Sequence, residues 1–213
     1  IISLDPNQYE INFSKFDLSL FNLMHTEHFK MSGVKIKGKN SEIIEGNTLA
    51  IDISNSYFEY CYPIMMSYPN NNMDISITNS HFIDSTIKLA MNSYSGNIDI
   101  SDNIFETNLL TTSTIDLKKV NITAERNIFN NTVLKLAGDS GVGADVGNNT
   151  FDGSKGKIYI TADGQNMHFN RNKMLKNINF EVFYTGTNTI DFTNNWWDDI
   201  EGPSENRVYG NID

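Results

Sequence analysis

The sequence predicts an all-β protein whose short strands wind into a parallel β-helix, a solenoid of stacked turns. Three observations predict this fold. A motif recurs every 22–24 residues, apolar and polar residues alternate inside it, and asparagine or aspartate tends to follow each alternation. Alternation over a few residues indicates a strand with one buried and one solvated face. A fixed period of this length is typical of proteins built by stacking one small unit.

Seven copies of the motif align without gaps. They are IDISNSYF (51–58), ISITNSHF (75–82), IDISDNIF (98–105), ITAERNIF (122–129), ADVGNNTF (144–151), MHFNRNKM (167–174) and IDFTNNWW (190–197). The first and third residues of each copy are apolar, so we expect both side chains to point into the core. Segments 29–36 and 9–16 fit the motif more loosely, and an amphipathic capping helix over 13–24 is the alternative for the second.

The middle of each motif predicts a bend. Asparagine tolerates left-handed backbone angles and hydrogen-bonds to its own backbone. Stacked asparagine side chains can also hydrogen-bond from turn to turn. We therefore expect an external asparagine ladder made of Asn55, Asn79, Asn103, Asn127, Asn149, Asn172 and Asn195.

The last residue of each motif predicts an internal stack. We expect the core stack to contain Phe58, Phe82, Phe105, Phe129, Phe151 and Trp197, with Met174 between the last two. A second apolar alternation often follows, as in TIKLA (86–90) and VLKLA (133–137), before a polar loop returns the chain. Each turn therefore contains two or three short strands.

These features define the predicted architecture. We expect one domain of about eight or nine turns of about 23 residues, since one turn cannot bury its own apolar face. It would have N-terminal turns or a cap at 1–28, regular turns at 29–197 and a capping loop at 198–213. A β-propeller needs about 40 residues per blade. The chain is interpreted as a mature protein or as a piece of a longer one.

The amino-acid composition limits the classes of partner that the protein can bind. The formal net charge is −10 and only three arginines occur, which argues against nucleic acid and anionic membranes. No stretch approaches the roughly 18 apolar residues of a membrane helix. The single cysteine, Cys61, excludes an internal disulfide framework and is interpreted as a small core residue.

With paired apolar strand residues followed by Asn-x-Phe every 22–24 residues, the chain resembles the pectin-lyase-like right-handed parallel β-helix superfamily. The resemblance covers 29–213 well and 9–28 loosely, and is nearest to NosD-like carbohydrate-binding and sugar-hydrolase repeats. The closing NNWW (194–197), Gly202-Pro203 and YGNID resemble the end of bacterial and archaeal adhesin-like surface domains, although Asp198 stands where glycine is usual. The resemblance implies right-handedness, an extracellular or cell-surface location and polysaccharide-related roles.

The second residue of each motif defines a candidate ligand-facing column. It contains Asp52, Asp99, Asp145, His168 and Asp191, with Ser76 and Thr123 between the aspartates. We weigh a groove for sugar hydroxyls or Ca²⁺, which prefers oxygen ligands, against a solvated strand face that keeps like charges apart.

Trp196 is the other candidate. It either stacks on a sugar or packs under the C-terminal loop and plugs the end of the solenoid, and the second is favoured.

Catalytic signals are weak. The sequence lacks the segments that carry the catalytic residues in polysaccharide lyases and inverting glycosidases of this fold. Arg126 and Arg171, at equivalent positions, are interpreted as solvated turn residues, with binding of an acidic sugar as the alternative. Asp198-Asp199 and the HTEH segment (25–28) are minor candidates for catalysis and for a metal. We expect no cofactor and no metal, with Ca²⁺ as the alternative.

Three functions remain open. The favoured one is a non-catalytic extracellular or cell-surface module, monomeric and adhesin-like, that binds a polysaccharide or a host or cell-surface glycan. The second is a polysaccharide lyase or glycoside hydrolase acting through the outward aspartates. The third is a structural protein similar to a phage tailspike.

Overall fold

The regular structure of the chain is β-strand. The computed structural model describes residues 2–3, 10–12, 21–67, 73–90, 96–108, 114–137, 143–154, 156–161, 166–175, 181–204 and 207–213, and contains no helix within them. In chain order the strands are β1 (Ile2–Ser3), β2 (Glu10–Asn12), β3 (Phe21–Ser32), β4 (Lys35–Ser54), β5 (Tyr57–Ser67), β6 (Met73–Thr78), β7 (His81–Ile83), β8 (Ile87–Ala90), β9 (Gly96–Ser101), β10 (Ile104–Glu106), β11 (Thr114–Lys118), β12 (Val120–Glu125), β13 (Ile128–Asn130), β14 (Val133–Ala137), β15 (Ala144–Gly147), β16 (Thr150–Asp152), β17 (Lys157–Ile160), β18 (Met167–Asn170), β19 (Lys173–Met174), β20 (Glu181–Tyr184) and β21 (Val208–Tyr209).

The strands form three parallel ladders that run along the solenoid. Ladder 1 contains 29–32, 51–54, β6, β9, β12, β15 and β18. Ladder 2 contains 35–37, 57–59, β7, β10, β13, β16 and β19. Ladder 3 contains 64–67, β8, β11, β14, β17, β20 and β21. Each turn adds one rung to every ladder, so the predicted parallel solenoid is confirmed.

The solenoid has about six turns instead of the eight or nine predicted. Six consecutive rungs, from 51–54 to β18, belong to turns in which all three ladders carry a strand. At the C-terminal end, Asp191 and Trp196 pair with the preceding turn only through isolated bridges. The motif therefore continues beyond the last turn that forms regular strands.

Inward side chains form apolar columns. The isoleucines of the motifs fill one column, as in the register Ile75–Ile98–Ile122, and all three are buried. The phenylalanines at 58, 82, 105, 129 and 151 form a second column, with ring centroids 4.8–5.2 Å apart and interplanar angles of 9–16°. Close-packed columns of this kind continue from turn to turn, so each turn is stabilised by its neighbours.

The asparagine ladder is internal, which corrects the predicted external one. Asn103, Asn127, Asn149 and Asn172 are each only 1% exposed. The backbone N–H of each donates to the side-chain oxygen of the next, at 2.9–3.0 Å, and the series ends on Asn195. The amide group of each donates back to a carbonyl of the preceding turn, for example Asn127 to Ile100 at 2.7 Å.

Asn55 and Asn79 belong to a different column. Both are exposed corner residues with positive φ, of 49° and 48°. Their equivalents on later turns are Asp102, Arg126, Asn148, Arg171 and Asn194, all with positive φ. On the turns that contain Asn55 and Asn79, serine occupies the buried ladder position. Ser80 donates its N–H to the Asn103 side chain, and Ser56 donates its N–H to the Ser80 hydroxyl. The sequence alignment merged the two columns because asparagine is common in both.

The N-terminal segments pair differently from the alignment. Ile11 lies opposite Ile36, whereas the repeat had placed Phe16 there; Phe16 lies outside the described residues. Residues 21–32 form β3, so the alternative helix is wrong over 21–24, and 13–20 are not described. The predicted boundary after residue 28 falls inside this strand.

The C-terminal residues extend the ladders. Val208 pairs with Val182 in ladder 3, and Ile212 forms a bridge with Ile190 in ladder 1. Trp197 is 8% exposed and its ring lies 5.7 Å from the Arg207 guanidinium carbon. Trp196 is 52% exposed, so it does not plug the end of the solenoid as predicted. Strand alternation places it on the outer surface of ladder 2, opposite Lys173.

Two neighbouring asparagines test the buried ladder. In Asn149→Asp the carboxylate cannot donate to the carbonyls of Ala124 and Gly147, now 2.8 and 3.0 Å from the amide nitrogen. We expect a loss of about 2–5 kcal/mol in the free energy of unfolding at pH 7, measured with urea. Asn148→Asp makes the same chemical change at the exposed corner, and should stay within about 0.5 kcal/mol.

The pH dependence gives a second readout. Burial raises the pKa of a carboxyl group, so the Asn149→Asp penalty should be largest at neutral pH and shrink as pH falls below the folded-state pKa. Equal destabilisation by both variants would contradict the assignment of Asn149 to the buried ladder.

The two tryptophans provide a matched pair at the C-terminal end. Trp197→Ala removes a buried ring and should destabilise the protein by about 3–5 kcal/mol. Trp196→Ala removes a half-exposed ring, and should cost less than about 1 kcal/mol. Thermal unfolding followed by circular dichroism measures both, and a larger loss for Trp196→Ala would show that it, and not Trp197, closes the core.

Candidate functional site

The outer surface of ladder 1 contains the predicted ligand-facing column. Strand register places the members on successive rungs in the order Asp52, Ser76, Asp99, Thr123, Asp145, His168 and Asp191. Each member lies between two inward residues of its strand, so the backbone alone holds it outward. The structure thus brings the candidates together as a line along the solenoid axis, one per rung.

A groove lies over the first part of this column. It has a volume of about 420 Å³ and is lined by His28, Ala50, Asp52, Asp74, Ile75, Ser76, Asn97, Ile98, Asp99, Asn121 and Thr123. Three of these, Asp74, Asn97 and Asn121, form a second outward column two residues upstream of the first. Sequence reasoning missed them because the aligned motif began one residue too late. The same alternation continues upstream through all three and was the available signal.

Hydrogen bonds between side chains, most of them from rung to rung, fix the polar groups of the groove. The Asn97 amide donates to Asp74 at 2.8 Å, and the Asn121 amide donates to the Asn97 oxygen at 3.2 Å. At one end His28 Nε2 lies 2.9 Å from Asp52 Oδ2. Ser101 donates its hydroxyl to Asp99 at 2.7 Å. These hydrogen bonds therefore restrict the rotamers that the side chains can adopt.

The far end of the column forms a separate cluster around Asp191. Its carboxylate accepts hydrogen bonds from the Asn170 amide at 2.8 Å and from the Thr193 hydroxyl and N–H at 2.7 and 2.9 Å. His168 Nδ1 lies 3.2 Å from the same carboxylate. These donors, Asn170 first, hold the pKa of Asp191 well below its usual range because they favour the ionised form.

A second hollow lies beside ladder 2. It has a volume of about 450 Å³ and is lined by Asn55, Ser56, Tyr57, Asn79, Ser80, His81, Asp102 and Ile104. Tyr57 donates its hydroxyl to Glu59 at 3.0 Å, and burial followed by this bond raises the pKa of Tyr57 to about 12. Lys37 lies 2.9 Å from Glu59 and lowers the pKa of that carboxyl group. The one carboxylate among the described residues that line this hollow, Asp102, is ion-paired with Arg126, which makes the hollow the weaker candidate.

The minor candidates have structural partners. Arg126 makes a bidentate ion pair with Asp102 at 2.7 and 2.9 Å and contacts Glu125 at 2.6 Å. The pair lowers the pKa of Asp102. Cys61 is buried, and that burial raises the pKa of its thiol to about 12, so the thiolate is disfavoured.

Within the described residues, no group of three or more His, Cys, Asp or Glu side chains is arranged to hold a metal ion. The side chain of His25 lies outside the described part, whereas His28 contacts Asp52. The Ca²⁺ alternative therefore stays a prediction.

Comparison with known proteins adds no family. No family model, no curated protein and no solved structure matches the chain. The parallel solenoid is established by the strand register, while the resemblance to the pectin-lyase-like superfamily and its right-handedness stay predictions. In the part of the chain that the structure describes, no helix has the length and apolar character needed to cross a membrane.

The Asp191 cluster predicts an unusual titration. Carbon-13 NMR of the carboxyl groups should show Asp191 still ionised at pH values near 4, where an ordinary aspartate protonates. Because the folded-state pKa is lowered, the stability that this group contributes is present above about pH 4 and is lost as pH falls through the folded-state pKa.

Removing the first donor tests the cause. Asn170→Leu should raise the pKa of Asp191 towards its ordinary value, whereas Asn121→Leu, which removes an amide elsewhere on ladder 1, should leave it unchanged. An Asp191 that titrates normally in the unmodified protein would disprove the hydrogen-bonded cluster.

Proposed function

We propose that this protein is a non-catalytic, adhesin-like module that binds a polysaccharide through the groove on ladder 1. The observation that carries the proposal is the double column of carboxylate, amide and hydroxyl groups that lines the groove. Sugars present vicinal hydroxyl groups, and carboxylates and amides recognise them through paired hydrogen bonds. An open groove fits an extended chain better than a compact small molecule.

Pre-organisation supports this proposal. The two outward columns repeat at the rung spacing of about 4.8 Å, and the side chains of the second column are hydrogen-bonded to one another across rungs. Groups already held in place lose little conformational entropy when a ligand binds, so weak hydrogen bonds add up to useful affinity.

The negative charge of the groove limits the class of glycan that it can bind. The groove contains Asp52, Asp74 and Asp99, and the whole chain has a formal net charge of −10. Like charges about 4 Å apart cost about 1 kcal/mol even in bulk water. A neutral glycan therefore fits the groove better than a polyuronate or a sulfated chain, unless Ca²⁺ bridges the two.

Catalysis is the second candidate, and one observation favours it. Asp74 is the diagonal neighbour of both Asp52 and Asp99 on adjacent rungs. Diagonal neighbours on paired strands have Cα atoms roughly 7–8 Å apart, so their carboxyl groups can reach the separation of about 6.5–9.5 Å that an inverting glycosidase uses. We favour binding because each of these carboxylates already accepts, or lies within bonding distance of, a neighbouring side chain.

We propose that the module works outside the cell or at the cell surface, as a monomer, and that it neither binds nucleic acid nor inserts into a membrane. The acidic charge supports the last two points. Light scattering tests the assembly, and a stable trimer would favour the tailspike-like alternative.

A binding screen tests the groove. Affinity electrophoresis against neutral plant, algal and microbial polysaccharides, with Ca²⁺ or with EDTA, should reveal at least one ligand. Asp99→Asn should weaken binding to it about tenfold, because one charged acceptor in the groove is lost. Asp116→Asn makes the same change on ladder 3, outside the groove, and should bind normally.

The same samples distinguish binding from turnover. Release of reducing ends or unsaturated products, abolished in Asp74→Asn or Asp99→Asn, would replace the binding proposal with the enzyme. Equal affinity of Asp99→Asn and the unmodified protein for every ligand would show that the groove is not the site.

A further inference from the structure

Three aromatic side chains line up on the outer surface of ladder 3. Tyr159, Phe183 and Tyr209 occupy the same strand position on consecutive rungs, where Tyr159 pairs with Phe183 and Phe183 pairs with Tyr209. We call these three residues the aromatic strip. It runs along the solenoid axis on a different ladder from the groove.

The rings of the strip are arranged differently from those of the core. Ring centroids are 5.7 and 6.1 Å apart, and neighbouring planes are tilted by 55° and 49°. Core phenylalanine rings lie within 16° of parallel and cover one another. Tilted rings leave part of each face open. Phe183 and Tyr209 are 37% and 41% exposed.

The fold does not require aromatic residues at this position. On earlier rungs the same outward column contains Lys88, Asp116 and Lys135. The core beneath the strip is filled by inward neighbours such as Ile158 and Val182, both fully buried. The strip is therefore a local change of surface chemistry, confined to the last three rungs of ladder 3.

Polar groups flank the strip on both sides. Thr161 and Thr185 are exposed and follow the inward residues next to Tyr159 and Phe183. On the other side Lys157 places its ammonium 5.9 Å from the Tyr159 ring centroid. An aromatic row between hydrogen-bonding groups complements a sugar ring, whose C–H face is apolar and whose edge carries hydroxyl groups.

We infer that the aromatic strip is a second glycan-contact surface, which binds the flat C–H face of an extended, neutral, β-linked polysaccharide. Polarised C–H hydrogens of the sugar meet the electron-rich faces of the rings. The ligand class rests on the proposed function, and the strip adds that the glycan has a flat face. The glycan chain lies along the solenoid axis, across successive rungs.

Area and charge favour a glycan over a protein. Aromatic side chains present about 150–250 Å² each, so three rings that are partly exposed offer roughly 200 Å². A stable protein interface needs about 800 Å² on each partner. The three side chains of the strip carry no charge. The strip therefore suits an uncharged chain.

Binding to cellulose, chitin and cellohexaose tests the inference. The triple variant Tyr159→Thr, Phe183→Thr and Tyr209→Thr keeps residues that favour strands and should lose at least tenfold in affinity. The control Ile104→Thr with Ile128→Thr removes two similarly exposed apolar side chains from ladder 2, and should bind as the unmodified protein does.

The groove variant Asp99→Asn separates the two proposals. Loss of cellohexaose or cellulose binding in the triple variant supports the strip. Loss in Asp99→Asn with full binding in the triple variant overturns the strip and leaves the proposed function intact. If no probe binds the unmodified protein while the groove retains another glycan, the strip inference is overturned alone. If nothing binds, both are overturned.

A second measurement does not depend on the folding of the triple variant. In protein labelled with 3-fluorotyrosine, fluorine-19 NMR should show the resonances of Tyr159 and Tyr209 shifting when cellohexaose is added. Tyr159→Phe and Tyr209→Phe assign these signals. Shifts confined to other tyrosines would overturn the inference.

Discussion

The buried asparagine ladder is the interaction on which the rest of the structure depends. Each asparagine donates its backbone N–H to the next turn and its amide group to a carbonyl of the preceding turn. One side chain therefore connects three turns in a place that water does not reach. An unpaired amide there would cost a large share of the stability of a domain, so a shift of register is penalised at every rung that contributes a ladder asparagine.

Because the strand register is fixed, inward side chains determine stability while outward side chains determine the surface chemistry. Inward columns of isoleucine, phenylalanine and asparagine repeat with little change, while the outward columns differ from ladder to ladder. Ladder 1 displays oxygen-rich side chains and a groove, and the end of ladder 3 displays aromatic rings. The side chains of outward residues do not pack in the core, and the ladders are held by backbone hydrogen bonds. Outward residues can therefore vary with little effect on the fold.

Sequence reasoning identified the parts of the structure that the period controls. The phenylalanine stack and the outward aspartate column follow from a constant spacing and strand alternation alone. The burial of the asparagines could not be predicted in the same way, because asparagine suits both an exposed corner and a buried ladder. The adjacent residues Asn148 and Asn149 show this, since Asn148 is an exposed corner residue and Asn149 belongs to the buried ladder.

The aromatic strip was missed for a different reason. Along ladder 3 the register connects Ile87, Ile115 and Leu134, whose separations in sequence differ widely because the loops between strands differ in length. Tyr159 and Phe183 are 24 residues apart, but with such variable steps on this ladder their separation did not identify a shared column, and Tyr209 follows 26 residues later. Tertiary pairing, and not local pattern, brings them together.

The alternation of acidic and hydroxyl residues along ladder 1 has a consequence for any repeating ligand. Over Asp52, Ser76, Asp99 and Thr123 the first outward column repeats its residue types after two rungs, roughly 10 Å, so a long chain that binds this column would have more than one frame available. Two equivalent frames add about RT ln 2, roughly 0.4 kcal/mol, to the binding free energy. A bound chain would pass from one frame to the next by a displacement of two rungs along the solenoid.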